Sequence, residues 1–475
     1  MIMKREKDME EIYFGTDGWR GIIGETFTFE NVRRVGKALA YLAKERRIDG
    51  KPVVIGYDYR FMSEYFARAI YEELVSEKIE AELSDRAIPT PALSHATRAR
   101  KAAFGVMITA SHNPHFYSGI KFKAPYGGPV MPEFTFDLSR HIQNVKNVSR
   151  QSTVYAPKVP TRNFLSPYLS ALKRYVNFPL LKNARLKVAV DSMHATGGTL
   201  IQDLLQGTKI HVHTIRAERN PLFDLDLPEP IPALLNQLSS LVKGQKCDLG
   251  LATDGDADRI GVLDSSGRFV TLHYLMPLLY EYLMESRGMK GDAVRTTSTD
   301  ALFDPICAEH GQRCIEVPVG YNNVCEAVLR EDILVGGEES GGICFKNHIP
   351  ERDGILSALL LIEMMACKIQ KLEKLVTELI KRFHPVEYMR IDRVFDRKKL
   401  KANLESLIKN PPARIAGSPL LRTDTKDGIK FYLASGCWML MRVSDTEPKG
   451  RIYVGGRDLD SVKKTLRTGE KLLFS

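Results

Sequence analysis

The sequence predicts an α/β protein divided into four domains, and three observations lead to that reading. Short β-branched runs alternate with longer amphipathic stretches, several of those runs end in polar, glycine- or hydroxyl-bearing segments, and 475 residues exceed what one core serves. Val53 to Gly56 reads as a strand with Tyr65 to Ser76 as a following helix. Leu186 to Val190 with Gly198 to Gln206, and Leu249 to Thr253 with His273 to Glu285, repeat the pairing. Such alternation favours largely parallel sheets, whose strands need helical crossovers. Candidate seams fall in the Pro-containing polar stretch 151–161, at the turn Asp264-Ser-Ser-Gly267, and at His384-Pro385. They divide the chain into 1–160, 161–267, 268–384 and 385–475.

Composition narrows the function. Hydrophobic residues are 44% and charged residues 27% of the chain, as in an ordinary globular protein. No apolar run reaches the roughly 18 residues of a spanning helix; the longest, Leu356 to Cys367, is interrupted by Glu363. The N-terminus mixes charges of both signs and lacks the apolar segment of a secretory signal, so a cytoplasmic location is expected and a membrane partner is not. Seven cysteines without a Cys-x-x-Cys pair suit a reducing compartment and argue against a disulfide framework or a structural zinc. The net charge of +10 is scattered, with only short clusters such as Arg397-Lys398-Lys399-Leu400-Lys401. No basic-aromatic module accompanies it, so nucleic acid is not expected, and a basic balance serves binding of any anion, a phosphorylated metabolite included. Neither a G-x-x-x-x-G-K-[ST] loop nor a strand-borne G-x-G-x-x-G is present, which leaves triphosphate and dinucleotide chemistry without support.

Four segments have the residues for chemistry. Gly105-Val-Met-Ile-Thr-Ala-Ser111-His112-Asn113-Pro114 presents a serine hydroxyl at the end of a buried-strand pattern. Alone, it is either a serine that carries a phosphoryl group or a strand before an Asn-Pro turn. Asp254-Gly-Asp256-Ala-Asp258-Arg259 sets three carboxylates at alternate positions after Leu249 to Thr253, a set of hard oxygen ligands suited to Mg²⁺ or Ca²⁺. A calcium loop counted from Asp254 requires Gly at the sixth place and Glu at the twelfth, but Arg259 and Ser265 stand there. An acidic turn is the alternative, although carboxylates so close repel unless a cation lies among them.

Gly336-Gly337-Glu338-Glu339-Ser340-Gly341-Gly342 places a carboxylate and a hydroxyl two residues apart, a clamp for vicinal sugar hydroxyls or simply a Gly-rich hairpin. Arg442-Val-Ser444-Asp445-Thr446-Glu447-Pro448-Lys-Gly-Arg451 gathers guanidinium groups and hydroxyls into a phosphate cradle or, on the plainer reading, a solvated turn.

Together with Phe14-Gly-Thr-Asp-Gly-Trp-Arg20-Gly, Pro228-Glu-Pro230 and His348-Ile-Pro-Glu-Arg-Asp353-Gly, these segments resemble, in kind and order, the α-D-phosphohexomutase family. The resemblance runs from residue 14 to about residue 456. It implies four domains around a central cleft, the first three related α/β units with mixed sheets and the last a smaller α+β unit. It implies Ser111 as the phosphoserine and a metal ligand through its phosphoryl oxygen, with Asp254, Asp256 and Asp258 holding Mg²⁺. Arg20, Lys121 and His112 become candidates for the reaction site, where Arg259 would contact substrate. Glu338 and Ser340 would hold sugar hydroxyls, and Arg442, Ser444, Asp445, Thr446 and Arg451 the non-transferring phosphate. The implied activity interconverts hexose 1-phosphate and hexose 6-phosphate of glucose or mannose, with a hexose 1,6-bisphosphate as intermediate and primer, in a monomer or homodimer.

Three positions depart from the family pattern. Ser118 stands where Asn is usual before Gly119-Ile120-Lys121, Val317 replaces a Thr, and Asn322 replaces a Lys. Gly-Glu-Glu-Ser-Gly-Gly looks more like glucose-preferring members than the versions ending in His. Phosphoglucosamine mutase is the alternative enzyme, and a non-catalytic sugar-phosphate-binding homologue the alternative of another class.

Overall fold

The computed structural model describes residues 12–15, 18–145, 147–149, 152–154, 158–443 and 449–474. The described chain forms four sheets, one per domain. In the first, Val53–Tyr57 lies parallel to both Ala81–Ser84 and Phe104–Ile108, and Tyr117–Lys123 and Trp19–Ile22 close one edge antiparallel. Thr161–Arg162 joins the other edge, parallel to Ala81–Ser84, so the first sheet takes in residues beyond the expected seam at 160. In the second, Lys187–Asp191 lies between parallel His211–Ile215 and Leu249–Thr253, and Ile260–Leu263 and Phe269–Val270 follow antiparallel. In the third, Asp292–Thr296 lies between parallel Cys314–Val317 and Ile333–Gly337, with Ile343–Phe345 antiparallel at the edge. The fourth sheet is wholly antiparallel, in the order Glu387–Val394, Lys449–Gly456, Trp438–Val443, Ile429–Leu433, Ser418–Asp424, Arg414–Ile415.

Strand–helix alternation therefore gives mixed rather than largely parallel sheets. In each of the first three domains one parallel strand turns back into an antiparallel neighbour before any helix intervenes. Those turns are the Ser111, Asp254 and Glu338 segments, between Phe104–Ile108 and Tyr117–Lys123, Leu249–Thr253 and Ile260–Leu263, and Ile333–Gly337 and Ile343–Phe345. The three domains present equivalent loops to one another. The Gly-rich segment is thus a hairpin turn.

The first three domains share one apolar core, running from Val54 and Leu93 through Leu172, Val190 and Leu251 to Leu279, Leu334 and Leu359. At its centre Gly354–Lys368 is buried nearly all round, as its continuous apolar sequence requires. Glu363, which interrupts that run, is fully buried because Asn177 N at 2.7 Å and Arg287 Nη1 at 2.6 Å both donate to it. The fourth domain packs a separate core around Leu400, Phe431, Met439, Ile452 and Leu466. All seven cysteines are free thiols. Among the described residues, no helix is long and apolar enough to cross a membrane.

Candidate active site

Ser111 lies in a tight turn after Phe104–Ile108 at φ +50°, a left-handed conformation uncommon for a residue with a side chain. Its N–H donates to Thr109 Oγ1 at 2.9 Å, and the Asn113 N–H donates to the Ala110 carbonyl at 3.0 Å. Arg60 braces the turn from behind. Fully buried, its guanidinium donates to the carbonyls of Ser111 (2.7 Å), Asn113 (2.6 Å), Pro114 (2.8 Å) and Tyr117 (3.1 Å). Asp58 lies 3.4 Å from Arg60 Nε, and the Phe223 ring packs 5.0 Å from the guanidinium carbon. Arg60 is not among the residues expected from the sequence; its signal is the polar Asp58-Tyr59-Arg60 directly after a buried strand, where parallel sheets place functional loops.

The Ser111 hydroxyl donates to Asp254 Oδ2 at 2.8 Å, across the boundary between the first and second domains. Gly255 makes that approach possible, since a Cβ there would lie 2.1 Å from the Ser111 carbonyl oxygen. Asp254 shapes its own loop: Oδ1 accepts the N–H groups of Asp258 and Arg259, each at 3.1 Å. Asp254, Asp256 and Asp258 are fully buried, with one carboxylate oxygen of each within 4.8 Å of the others. Asp256 Oδ1 and Asp258 Oδ1 are buried without a hydrogen-bond partner. Orphaned hard oxygens in a converging set are what a divalent cation requires, so the residues present fit Mg²⁺. Burial, with Asp258 and Asp256 alongside, pushes the Asp254 carboxyl well above the carboxylate range.

Lys121 enters this cluster: its Nζ donates to Asp256 Oδ2 at 2.8 Å and Asp258 Oδ2 at 3.0 Å. Despite burial, Lys121, Thr90 and Arg352 hold Asp256 below its ordinary value. Arg352, quoted above only as part of a matching segment, donates Nη2 to Asp258 Oδ2 at 2.7 Å and lies 3.5 Å from Glu338 Oε2. It links the acidic cluster to the Gly-rich loop.

His112 Nδ1 lies 3.4 Å from Ser111 Oγ. Surrounding protein, together with Arg259, Arg20 and Lys121, drives its pKa well below the usual histidine value, although 26% of the side chain still meets solvent. The imidazole is therefore neutral at physiological pH. Arg20, on Trp19–Ile22, donates Nη1 to Asn113 Oδ1 at 2.7 Å. Arg259 Nη1 and His112 Nε2 each lie 3.9 Å from Glu229 Oε1, which gives the Pro228-Glu229-Pro230 segment a place in the same wall.

Glu338 is buried, and that burial raises its pKa against the pull of Arg352; it accepts the Gly320 N–H at 3.2 Å. Ser340 is half-buried on the same turn. Glu339 points elsewhere, accepting the Ser298 hydroxyl at 2.5 Å and lying 3.6 Å from Arg390.

In the fourth domain Arg442 and Arg451 are direct cross-strand partners. Like charges in register repel, and here Asp427 meets Arg442 Nε at 2.6 Å while Asp392 lies 3.3 Å from Arg451. Ser444, Asp445 and Thr446 lie outside the described residues. Asn322 Nδ2 donates to the Val130 carbonyl at 3.2 Å, joining the third domain to the first where the pattern would have a cation. A separate cavity of about 410 Å³, lined by His95, Arg98, Arg174, Tyr175 and His348 among others, includes none of the expected site residues.

Three family models match the chain, described as phosphoglucomutase/phosphomannomutase α/β/α domain I over residues 11–149, domain II over 166–267 and domain III over 272–383. A Thermococcus kodakarensis phosphoglucomutase/phosphomannomutase is 30% identical, covering 97% of this chain and 98% of the relative. A Carboxydothermus hydrogenoformans phosphoglucosamine mutase is 29% identical, covering 94% and 95%. A Thermus thermophilus structure with a provisional phosphomannomutase assignment superposes with a TM-score of 0.84 at 33% identity, covering 97% of this chain and 98% of that one.

Proposed function

Because the chain belongs to the phosphoglucomutase/phosphomannomutase family and is thus a mutase, we propose that it interconverts hexose 1-phosphates and hexose 6-phosphates of glucose or mannose by passing a phosphoryl group through Ser111. The observation behind this reading is the 2.8 Å contact of the Ser111 hydroxyl with Asp254 inside a buried acidic triad. Phosphorylated Ser111 would donate its group to the free hydroxyl of a bound hexose phosphate. The serine O–P bond breaks, a P–O bond to the sugar forms, the sugar hydroxyl's proton passes to a neighbouring base, and the leaving serine oxygen takes up a proton to become the Ser111 hydroxyl again. His112, whose Nδ1 lies 3.4 Å from Ser111 Oγ, is one candidate for that base. The product is a hexose 1,6-bisphosphate, which must turn around before its other phosphoryl group returns to Ser111.

Asp254, Asp256 and Asp258 would hold Mg²⁺, which when bound supplies Lewis-acid withdrawal of charge from phosphoryl oxygens. Lys121 and Arg352 offset part of the triad's negative charge. Arg20 and Arg259 would steer the phosphate entering beside Ser111. Glu338 and Ser340 would hold sugar hydroxyls, and a cradle of Arg442, Ser444, Asp445, Thr446 and Arg451 the distal phosphate in either orientation.

Phosphoglucosamine mutation is the second reading, favoured by the likeness to the Carboxydothermus enzyme. The test primes purified protein with a hexose 1,6-bisphosphate and Mg²⁺ and assays glucose 1-phosphate, mannose 1-phosphate and glucosamine 6-phosphate side by side. Turnover of glucose or mannose phosphate above the amino sugar is expected. Sugar-phosphate binding without turnover of any of the three would replace the enzyme with a binding homologue.

A further inference from the structure

The boundary between the third and fourth domains combines an apolar patch, in which Val319 packs against the cluster of Trp438, Leu440 and Tyr453, with buried polar contacts. Asp427 lies at its centre, in the turn between Ser418–Asp424 and Ile429–Leu433, with its side chain only 9% exposed. One carboxylate oxygen accepts the Thr297 hydroxyl at 2.9 Å and the Val319 N–H at 2.7 Å, both from the carboxyl edge of the third domain's parallel strands. The other accepts Arg442 Nε at 2.6 Å.

The turn is built to hold that carboxylate in place. Gly428 takes φ +75°, and a Cβ on it would lie 2.2 Å from the Met441 carbonyl oxygen, so the turn lies directly on the strand that presents Arg442. Two residues on, buried Lys430 donates to the Thr297 carbonyl at 2.7 Å. Thr297 is thus held through both its hydroxyl and its carbonyl.

We propose that Asp427 is a positioning residue that acts through Arg442, coupling capture of the substrate's distal phosphate to seating of the fourth domain on the third. The inference rests on the reading of Arg442 as a phosphate ligand. Charge-assisted bonds to a carboxylate fix the guanidinium plane before the substrate arrives, which lowers the ordering cost of binding. The same carboxylate anchors the domain, so a seated domain presents a correctly turned Arg442 and an unseated one does not.

The test combines a double-mutant cycle with small-angle scattering. Asp427→Ala and Arg442→Ala are each expected to weaken glucose 6-phosphate binding about tenfold, the effect of losing one charge-assisted bond. The double variant is expected to bind no more weakly than Arg442→Ala alone. Unliganded Asp427→Ala is expected to be more expanded than wild type, with Asp427→Asn intermediate because it keeps an acceptor for Thr297 and Val319. Additive losses of about a hundredfold in the double variant, or unchanged scattering in Asp427→Ala, would overturn the proposal. If wild type fails to bind glucose 6-phosphate while Asp427→Ala still expands, the substrate reading falls and the anchoring role of Asp427 stands.

Discussion

Arg60 shows how much of the site depends on a side chain that never meets substrate. Its planar fork satisfies four carbonyls of the serine turn at once, which no other side chain can do from one position. Arg60→Met should leave those carbonyls and buried Asp58 uncompensated and destabilise the first domain by about 3–5 kcal/mol, read as a fall in melting temperature. Arg60→Lys should keep the charge, lose the fork, and reduce kcat on the order of a hundredfold through misplacement of Ser111. A lysine variant with full kcat would show that the charge alone is sufficient. Lys121, expected at the reaction site, is bonded to two of the aspartates expected there with it.

At the scale of elements, the hairpin turns explain both what the sequence revealed and what it hid. Strands such as Val53–Tyr57 and Leu249–Thr253 were legible because burial on both faces demands continuous apolar, β-branched runs. The antiparallel returns were not, because Ile260–Leu263 and Ile343–Phe345 are as apolar as the parallel strands and direction leaves no mark on composition. The acidic, serine and Gly-rich segments were legible as chemistry. Arg60, Thr90 and Arg352 were not, because their partners lie at Ser111, Asp256 and Asp258, far along the chain, and only tertiary apposition defines them. Gly255 lies at another such apposition, against the Ser111 carbonyl. Gly255→Ala should force the Ser111 and Asp254 loops apart, costing about 1–3 kcal/mol of stability and most of the activity. Normal turnover in that variant would mean the loops need not touch.

The whole molecule is a three-domain body to which a fourth domain is fastened by apolar and polar contacts together, and one of the polar contacts makes the attachment sensitive to pH. Burial lowers the pKa of Lys430 to about 8, against Glu316, which favours its charge; Arg295 and Asp300 also face it, with Trp438 4.6 Å away. The seated domain therefore holds this lysine less readily protonated than the free domain, whose lysine titrates near 10.4. The sign follows from linkage: between those two values the unseated state binds more protons, so seating strengthens as pH rises from 8 towards 10.4 or so. Scattering or calorimetry across pH 7–10 should show a more compact, more stable fourth domain at the upper end, and Lys430→Met should remove that dependence. A pH response unchanged in Lys430→Met would assign it to another group.

The same architecture brings the hairpin loops of the first three domains to one another, and among their residues Ser111 is the expected carrier of the transferred group. Peptide-resolved mass analysis of protein incubated with a hexose 1,6-bisphosphate and Mg²⁺ tests that directly. One phosphoryl group on Ser111, discharged on addition of hexose phosphate and missing in Ser111→Ala together with turnover, is the result the account predicts. Phosphate found only on other residues, or turnover that survives in Ser111→Ala, would contradict it.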